Sequence, residues 1–355
     1  MRLAVAHPEI KSTYQRGIYL YARSLFSALH QNGVNTALIT DTDSLLEGDL
    51  LREEICRQIA EPPRVKVRSM QVLPDVLKHR FGIYNAEAVK LDPHAKYLAS
   101  NDFLAHVDEL LNFPKFYDMC RLAGSKPFVP AIDVDFIAKN DRTICLTTAP
   151  VAIRSRSKSV RVIQTVHDLI ALNSSAHNVN VSKFRRKLDS ALNNADLIIA
   201  VSEYTRSEIL DRYPGLEDRI KVVYQPLPAQ EETIIHSATP AAMEDALSRH
   251  GLSQGNYVFF VGAIEERKNI ARLIQAFLAS DINGDSVLVF AGMLDVSYLE
   301  KNGVMEYFTK PEQRNETARN NASRIRYLGV ISEIDKLCLL RGAMFFAFPT
   351  ITEGF

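Results

Sequence analysis

The chain carries no excess charge of either sign: Lys+Arg and Asp+Glu are both 42 in 355 residues. That removes any global electrostatic pull toward nucleic acid. Cysteine is scarce and scattered. Cys56, Cys120, Cys145 and Cys338 include no CxxC pair, so neither a zinc site nor a disulfide framework is indicated. Four reduced core thiols in a cytoplasmic protein are expected instead. No apolar stretch approaches the ~20 residues that cross a bilayer. The opening run, Met1-Arg2-Leu3-Ala4-Val5-Ala6, is too short for the apolar core of a signal peptide and reads as a strand. Without a secretory signal, the acceptor-like triplets at Asn173, Asn315 and Asn321 read as chance. There is no internal repeat and no GxGxxG, which counts against a nicotinamide dehydrogenase.

What is present is the composition of a soluble globular protein, 46% hydrophobic and 24% charged. The length is too great for one ordinary domain, so two are expected. Leu3 to Ala6 reads as a strand, Ile18 to Leu29 as a helix opened by Gly17, and Asn35 to Thr40 as a second strand. This unit opens a doubly wound α/β domain. Residues 41–140 are harder to read. Leu45 to Ile59 and Asn101 to Leu111 have helical character, and Val65 to Met70 has strand character.

The alternation resumes with strands at Thr143 to Thr147, Arg161 to Val166 and Asp196 to Val201. Between the last two lies an amphipathic helix, Ser182 to Asn193. Ser202 is placed to cap the helix that ends near Tyr213, and Ile220 to Tyr224 closes the domain. Proline and polar residues mark a connection. A second unit follows, with strands at Tyr257 to Val261, Ser286 to Phe290, Ile325 to Leu328 and Met344 to Phe348. The last of these reads as buried. The expected organisation is therefore 1–228, a linker at 229–254, and 255–355. Tandem Rossmann-like halves predict a ligand cleft between them.

Four segments carry candidate chemistry. Arg267 and Lys268 follow a strand and precede a helix. They read either as a solvated basic pair near a helix start or, because cations there are unfavourable unless an anion offsets them, as holding a diphosphate. Glu353 follows the last strand, where a carboxylate can accept from sugar hydroxyls, though taken alone it reads as an ordinary exposed loop glutamate. His167, followed by Asp168, also stands at a strand end. It is placed to bond a substrate hydroxyl or phosphate, or to be satisfied by backbone. Arg16 and Gly17 open the first helix, where a glycine lets a ligand approach the backbone closely. The triplets Asp41-Thr42-Asp43 and Asp133-Val134-Asp135 have metal-holding spacing but read as structural turns. Two basic clusters, Arg154 to Lys158 and Lys183 to Lys187, read as solvated faces with the option of meeting anionic lipid.

The segments together resemble glycosyltransferase family 4, the large group of retaining GT-B enzymes. The resemblance rests on Val261-Gly262-Ala263-Ile264-Glu265-Glu266-Arg267-Lys268-Asn269-Ile270, on Phe348-Pro349 with Glu353-Gly354-Phe355, and on His167-Asp168-Leu169. The run from Ala195 to Thr205 supports it. Residues 143–228 and 255–355 match well and 1–40 loosely. Residues 41–140 match nothing.

The resemblance implies a GT-B fold and a UDP- or GDP-sugar as donor substrate, with no cofactor and no metal. It implies a glycan or lipid-linked saccharide as acceptor, at the inner membrane face. Arg267 and Lys268 would neutralise the donor diphosphate, and Glu353 would contact the donor sugar. His167 would lie near the reacting carbon, and Gly17 against a phosphate or the acceptor. Arg16, Asp168, Gly354 and Phe355 complete the implied contacts. Ala263 stands where many members carry a basic residue. The second glutamate of the E-x7-E pair would fall beyond Phe355, so an incomplete nucleotide site with weak or absent turnover is expected of these residues. The alternatives are a non-catalytic interaction protein of the same fold and a GT-B nucleotide-sugar epimerase. The epimerase would need cleft carboxylates that the sequence does not reveal.

Overall fold

The computed structural model describes residues 2–11, 17–61, 69–82, 86–91, 104–138, 142–172, 180–225, 235–280, 282, 286–308 and 324–354. The acceptor-like triplets at 173, 315 and 321, together with Arg16, Phe355 and most of 65–70, lie outside them. The chain divides into two compact units, Met1–Pro228 with Gly354, and Ala229–Glu353.

The first unit is built on an eight-stranded sheet in the order β10-β9-β8-β6-β1-β2-β4-β3. Its strands are β1 (Arg2–Ala6), β2 (Thr36–Thr40), β3 (Glu87–Lys90), β4 (Glu109–Asn112), β6 (Thr143–Thr147), β8 (Val160–Val166), β9 (Leu197–Ala200) and β10 (Ile220–Val222). All pairings are parallel except β3 with β4. A separate two-stranded ladder joins β5 (Ile132–Asp133) to β7 (Ile153–Arg154). The helices are α1 (Gly17–Gln31), α2 (Gly48–Ala60), α3 (Leu73–Arg80), α4 (Phe116–Ser125), α5 (Val181–Asn194) and α6 (Glu203–Arg212). All five residues of β2 are buried, as a strand covered on both faces requires.

From β1 the chain winds one way through β2 and β4, then returns through β6, β8, β9 and β10 on the other side. The order reverses between β1 and β6. In open α/β sheets the carboxyl ends beside such a reversal are where ligands bind.

The second unit has a four-stranded parallel sheet, β13-β12-β11-β14. These are β11 (Tyr257–Val261), β12 (Val287–Ala291), β13 (Ile325–Tyr327) and β14 (Phe345–Phe346). With them are α7 (Pro240–Arg249), α8 (Ile270–Leu278), α9 (Val296–Lys301) and α10 (Glu333–Gly342). The order again reverses, here between β11 and β14. Both Ser202 and Ser332 cap their helices as expected, accepting from the Thr205 and Asp335 amides.

Four expectations need correction. Residues 109–112, read as part of a helix, form β4. Pairing with β2 buries Leu110 and Leu111 together, and this outweighs the helical spacing of the apolar residues. Ser69 and Met70 begin a short 3-10 turn, not a strand end. The stretch read as a linker contains α7, capped by Thr239. The strand Met344–Phe348 is shorter and is not buried. Phe345 and Phe346 are 46% and 44% exposed, because β14 pairs only with β11 and lies at the sheet edge.

Candidate functional site

In the second unit the turn after β11 and the segment after β14 meet at the sheet's reversal point. Gly262 and Gly292 end β11 and β12 at φ of 151° and 133°. A Cβ at Gly292 would lie 1.9 Å from the Gly262 carbonyl oxygen, so the ends of these parallel neighbours run too close for a side chain there. The turn then makes a single 3-10 step at Glu266–Lys268 and closes on Asn269 in the left-handed conformation, φ 56°. Asparagine tolerates that conformation better than most residues. The turn presents Arg267 and Lys268 side by side.

Those cations meet Glu353. Lys268 Nζ and an Arg267 terminal nitrogen each lie 2.5 Å from Glu353 Oε1, and the Thr350 hydroxyl donates to the same oxygen at 2.8 Å. The other Arg267 terminal nitrogen pairs with Glu265 at 2.7 Å. Backbone bonds hold the two segments together, with the Ile351 amide donating to the Arg267 carbonyl at 2.9 Å. Lys268 is 8% exposed, which a lysine accepts only when paired. Its ammonium also lies 4.2 Å from the centre of the Phe348 ring, a contact worth up to about 2 kcal/mol when desolvated.

The result is a charge-balanced quartet of two cations and two carboxylates. Burial lowers the Lys268 pKa, and Arg267 adds to that, while Glu353 opposes both. Burial pulls the Glu353 carboxyl upward. The hydrogen bonds from Lys268 and Thr350 and the charge of Arg267 outweigh it and leave Glu353 below its ordinary value.

In the first unit the carboxyl ends of β1, β6 and β8 bring together His7, Thr148 and His167. The Thr148 carbonyl accepts from His167 Nε2 at 2.7 Å, and the Thr148 hydroxyl bonds His7 Nδ1 at 2.7 Å. A carbonyl can only accept, so Nε2 of His167 carries the proton. Its Nδ1 then accepts from the Gln225 amide at 2.6 Å. The Tyr21 ring meets His167 edge-on at 4.9 Å. Burial lowers the His167 pKa, and the Thr148 carbonyl only partly offsets this. Both ring nitrogens of His167 are thus engaged within the unit.

Gln164, buried inside β8, fixes the loop that carries Thr148. It accepts from the Thr147 hydroxyl at 2.7 Å and the Val151 amide at 3.0 Å, and donates to the Val151 carbonyl at 2.8 Å. A buried amide satisfied on both sides rigidifies its surroundings.

Of the other expected residues, Gly354 and Asp168 stand beside His167: a Cβ at Gly354 would lie 2.2 Å from the His167 carbonyl oxygen and 2.8 Å from the Asp168 Cβ. Asp168 accepts from the Ile170 amide at 3.0 Å and closes a turn. Gly17 is the first residue of α1, exposed, with open space where a Cβ would be. Gly354 groups with the first unit, where its carbonyl accepts from the Ser202 and Thr205 hydroxyls. The Asp-x-Asp triplets are engaged in structure. Asp41 pairs with Lys11 at 2.9 Å and Asp43 with Lys115 at 3.3 Å. Asp135 accepts from the Ser155 hydroxyl and the Ser157 amide, and Asp133 pairs with Arg156. Sequence reasoning passed over Thr350, Gln225 and Thr148. Thr350 precedes Glu353 by three residues, a spacing that was visible. The other two had no local signal.

Residues 125–231 match the family profile described as Glycosyltransferase Family 4. The O-antigen chain mannosyltransferase B of Escherichia coli is 28% identical over 204 residues, 55% of this chain and 48% of that protein. The alpha-maltose-1-phosphate synthase of Mycolicibacterium smegmatis is 35% identical over 89 residues, 24% of this chain and 22% of that protein. The matches therefore span half or less of these curated relatives. Among solved structures, Anabaena HepE in complex with UDP and glucose has a TM-score of 0.52 at 12% identity, covering 100% of this chain and 76% of that one. Sucrose-phosphate synthase from Thermosynechococcus elongatus has 0.52 at 13%, covering 100% and 77%.

Two successive units with parallel sheets, each with a residue cluster at its reversal point, define a protein of the GT-B class. Within that fold, residues 125–231 resemble glycosyltransferase family 4. Among the described residues no helix is long and apolar enough to cross a membrane.

Proposed function

We propose that the chain transfers a sugar from a UDP- or GDP-sugar to a glycan or lipid-linked saccharide, with retention at the anomeric carbon. The observation that carries this reading is the convergence of Arg267, Lys268 and Glu353 on one atom at the reversal point of the second sheet. On donor arrival the diphosphate takes over the two cations. Glu353, released from them, accepts hydrogen bonds from hydroxyls of the sugar. Fixed cations then stabilise the departing diphosphate where other enzymes use a metal. Attack comes from the face the leaving group vacates, and a donor phosphate oxygen takes the acceptor proton, so no protein nucleophile is required.

In the same proposal His167 stays neutral, its protonated Nε2 available to a ligand hydroxyl once the Thr148 carbonyl yields it. The E. coli relative supports a growing glycan as acceptor, and HepE with UDP and glucose supports a nucleotide sugar as donor. The exposed Lys183 and Arg185 on α5 supply a contact with anionic lipid at the cytoplasmic face.

Titrating the protein with UDP and with GDP, then following nucleotide release from UDP-glucose and GDP-mannose, tests the reading. Binding of neither nucleotide would leave the chain as a non-catalytic protein of the same fold, a second reading that the charge balance of the quartet favours. An inverted anomeric centre in the product, seen by NMR, would remove retention from the proposal.

A further inference from the structure

The first unit holds a cavity of about 220 Å³ away from the His167 cluster. It is walled by α3 and the β5–β7 ladder, and it is lined by Arg80, Arg154, Arg156, Asp133, His79 and Phe136 among others. Among the described residues three guanidiniums and one carboxylate therefore line it. Arg156 takes up that carboxylate, its Nε lying 3.2 Å from Asp133. Arg154 Nε is buried and has no hydrogen-bond partner among the described residues. Arg186 and Arg324 carry the same buried, unpartnered Nε elsewhere, so it is the grouping of three guanidiniums around one cavity that distinguishes this place.

The remaining walls suit a ring. Phe136 is stacked on Phe113 at 4.5 Å and 23° and also lines the cavity. His79 donates its Nε2 proton to the Asp133 carbonyl at 2.9 Å and packs edge-on against Phe113. Burial lowers the His79 pKa, with the Arg154 charge adding to it, so the imidazole adds no charge of its own at neutral pH. The volume is below the roughly 300 Å³ at which drug-sized pockets begin, so the occupant is a single ring and not a disaccharide.

The loop bearing the arginines is held in place independently of any ligand. Asp135 accepts from the Ser155 hydroxyl and from the Arg156 and Ser157 amides, and β7 is paired to β5. The expectation that the whole cluster from Arg154 to Lys158 is a solvated face is corrected here for Arg154, which is half-buried and lines the cavity.

We propose that this cavity binds a ring-bearing oxyanion of monosaccharide size, a sugar acid or a sugar phosphate, through Arg154 and Arg156 with Phe136 against the ring. The site is separate from the donor cluster of the second unit and does not depend on the chain being a transferase.

The test is calorimetric titration of the whole chain with D-glucuronate, D-glucose 6-phosphate, D-glucose and inorganic phosphate. Glucuronate or glucose 6-phosphate is expected to bind with a dissociation constant near or below about 1 mM, and glucose not at all. Which of the two binds distinguishes a carboxylate from a phosphate ligand. Arg154→Gln and Arg156→Gln are each expected to weaken that binding about tenfold, while UDP affinity stays unchanged. Thermal melting checks that each variant folds. Should Arg154→Gln fail to fold, the exposed Arg156 decides alone. The proposal is overturned if neither sugar anion binds, or if inorganic phosphate binds as tightly as the sugar phosphate. It is equally overturned if the folded arginine variants bind like the unaltered chain.

Discussion

Lys268 Nζ lies 2.5 Å from Glu353 Oε1, although 85 residues separate them in the chain. The carboxylate acts as an internal counterion for a lysine that is almost fully buried. Glu353→Gln removes that counterion but leaves the amide able to accept from sugar hydroxyls. UDP or GDP affinity is therefore expected to hold or rise, because the two cations no longer have Glu353 to satisfy them. Transfer is expected to fall at least about tenfold, since an amide binds hydroxyl donors less strongly than a carboxylate. Nucleotide titration beside a turnover assay checks this. A fall in nucleotide affinity would contradict the exchange of partners.

Lys268→Met tests the other side of the pair. Methionine keeps most of the volume over the Phe348 ring and deletes the charge. Nucleotide binding is expected to weaken by about 1.5–3 kcal/mol, the range for a hydrogen bond to a charged group. The melting temperature is expected to change little, because a buried ammonium is itself costly. Equal nucleotide affinity in Lys268→Met and the parent would remove this lysine from the donor site.

His7 gives a pH dependence. Burial, with the neighbouring His167 adding to it, lowers its pKa to about 3 from an ordinary 6.5. Below pH 6.5 the unfolded chain binds a proton at this residue and the folded chain does not. Stability is therefore lost as pH falls from 6.5 toward 3, by up to about 1.4 kcal/mol per unit from this group. His167 and His79, also lowered, act in the same direction. His7→Gln keeps a polar group beside Thr148 and cannot titrate, so urea unfolding at pH 7, 6 and 5 is expected to show a shallower decline. Parallel declines in the two proteins would show that His7 does not drive the effect.

Gly292→Ala is expected to cost at least about 2 kcal/mol and to lower the melting temperature of the second unit. Its methyl would meet the Gly262 carbonyl, and its backbone would be held at positive φ. Gly255→Ala, also at positive φ but with open space around it, serves as the comparison. It is expected to cost less. Similar losses would mean that the approach of the two strand ends is looser than the geometry indicates.

How much of this was legible differs between regions. The elements from Val160 to Val222 and from Tyr257 to Gly342 alternate strand with helix, and their caps at Ser202 and Ser332 stand in the sequence. Arg267 and Lys268 were readable because cations at that position conflict with a helix N-terminus. Residues 41–140 were not readable, because their order comes from distant pairing. Leu110 becomes a strand residue through β2, and β5 exists only through β7. The engagement of both His167 nitrogens was equally hidden, since Gln225 lies 58 residues away with no motif around it. Arg154 looked like one charge in a basic run, and only the fold shows that its Nε is enclosed.

The edge of the second sheet has a consequence for handling the protein. On its outer side β14 has no strand beside it among the described residues, and Phe345 and Phe346 stand about half uncovered there. An extended segment from another molecule laid along that side would gain backbone hydrogen bonds and cover both rings at once, the usual route to edge-to-edge association. For these 355 residues taken by themselves, self-association that grows with concentration, and that a charged residue at 345 suppresses, is the solution behaviour this geometry implies.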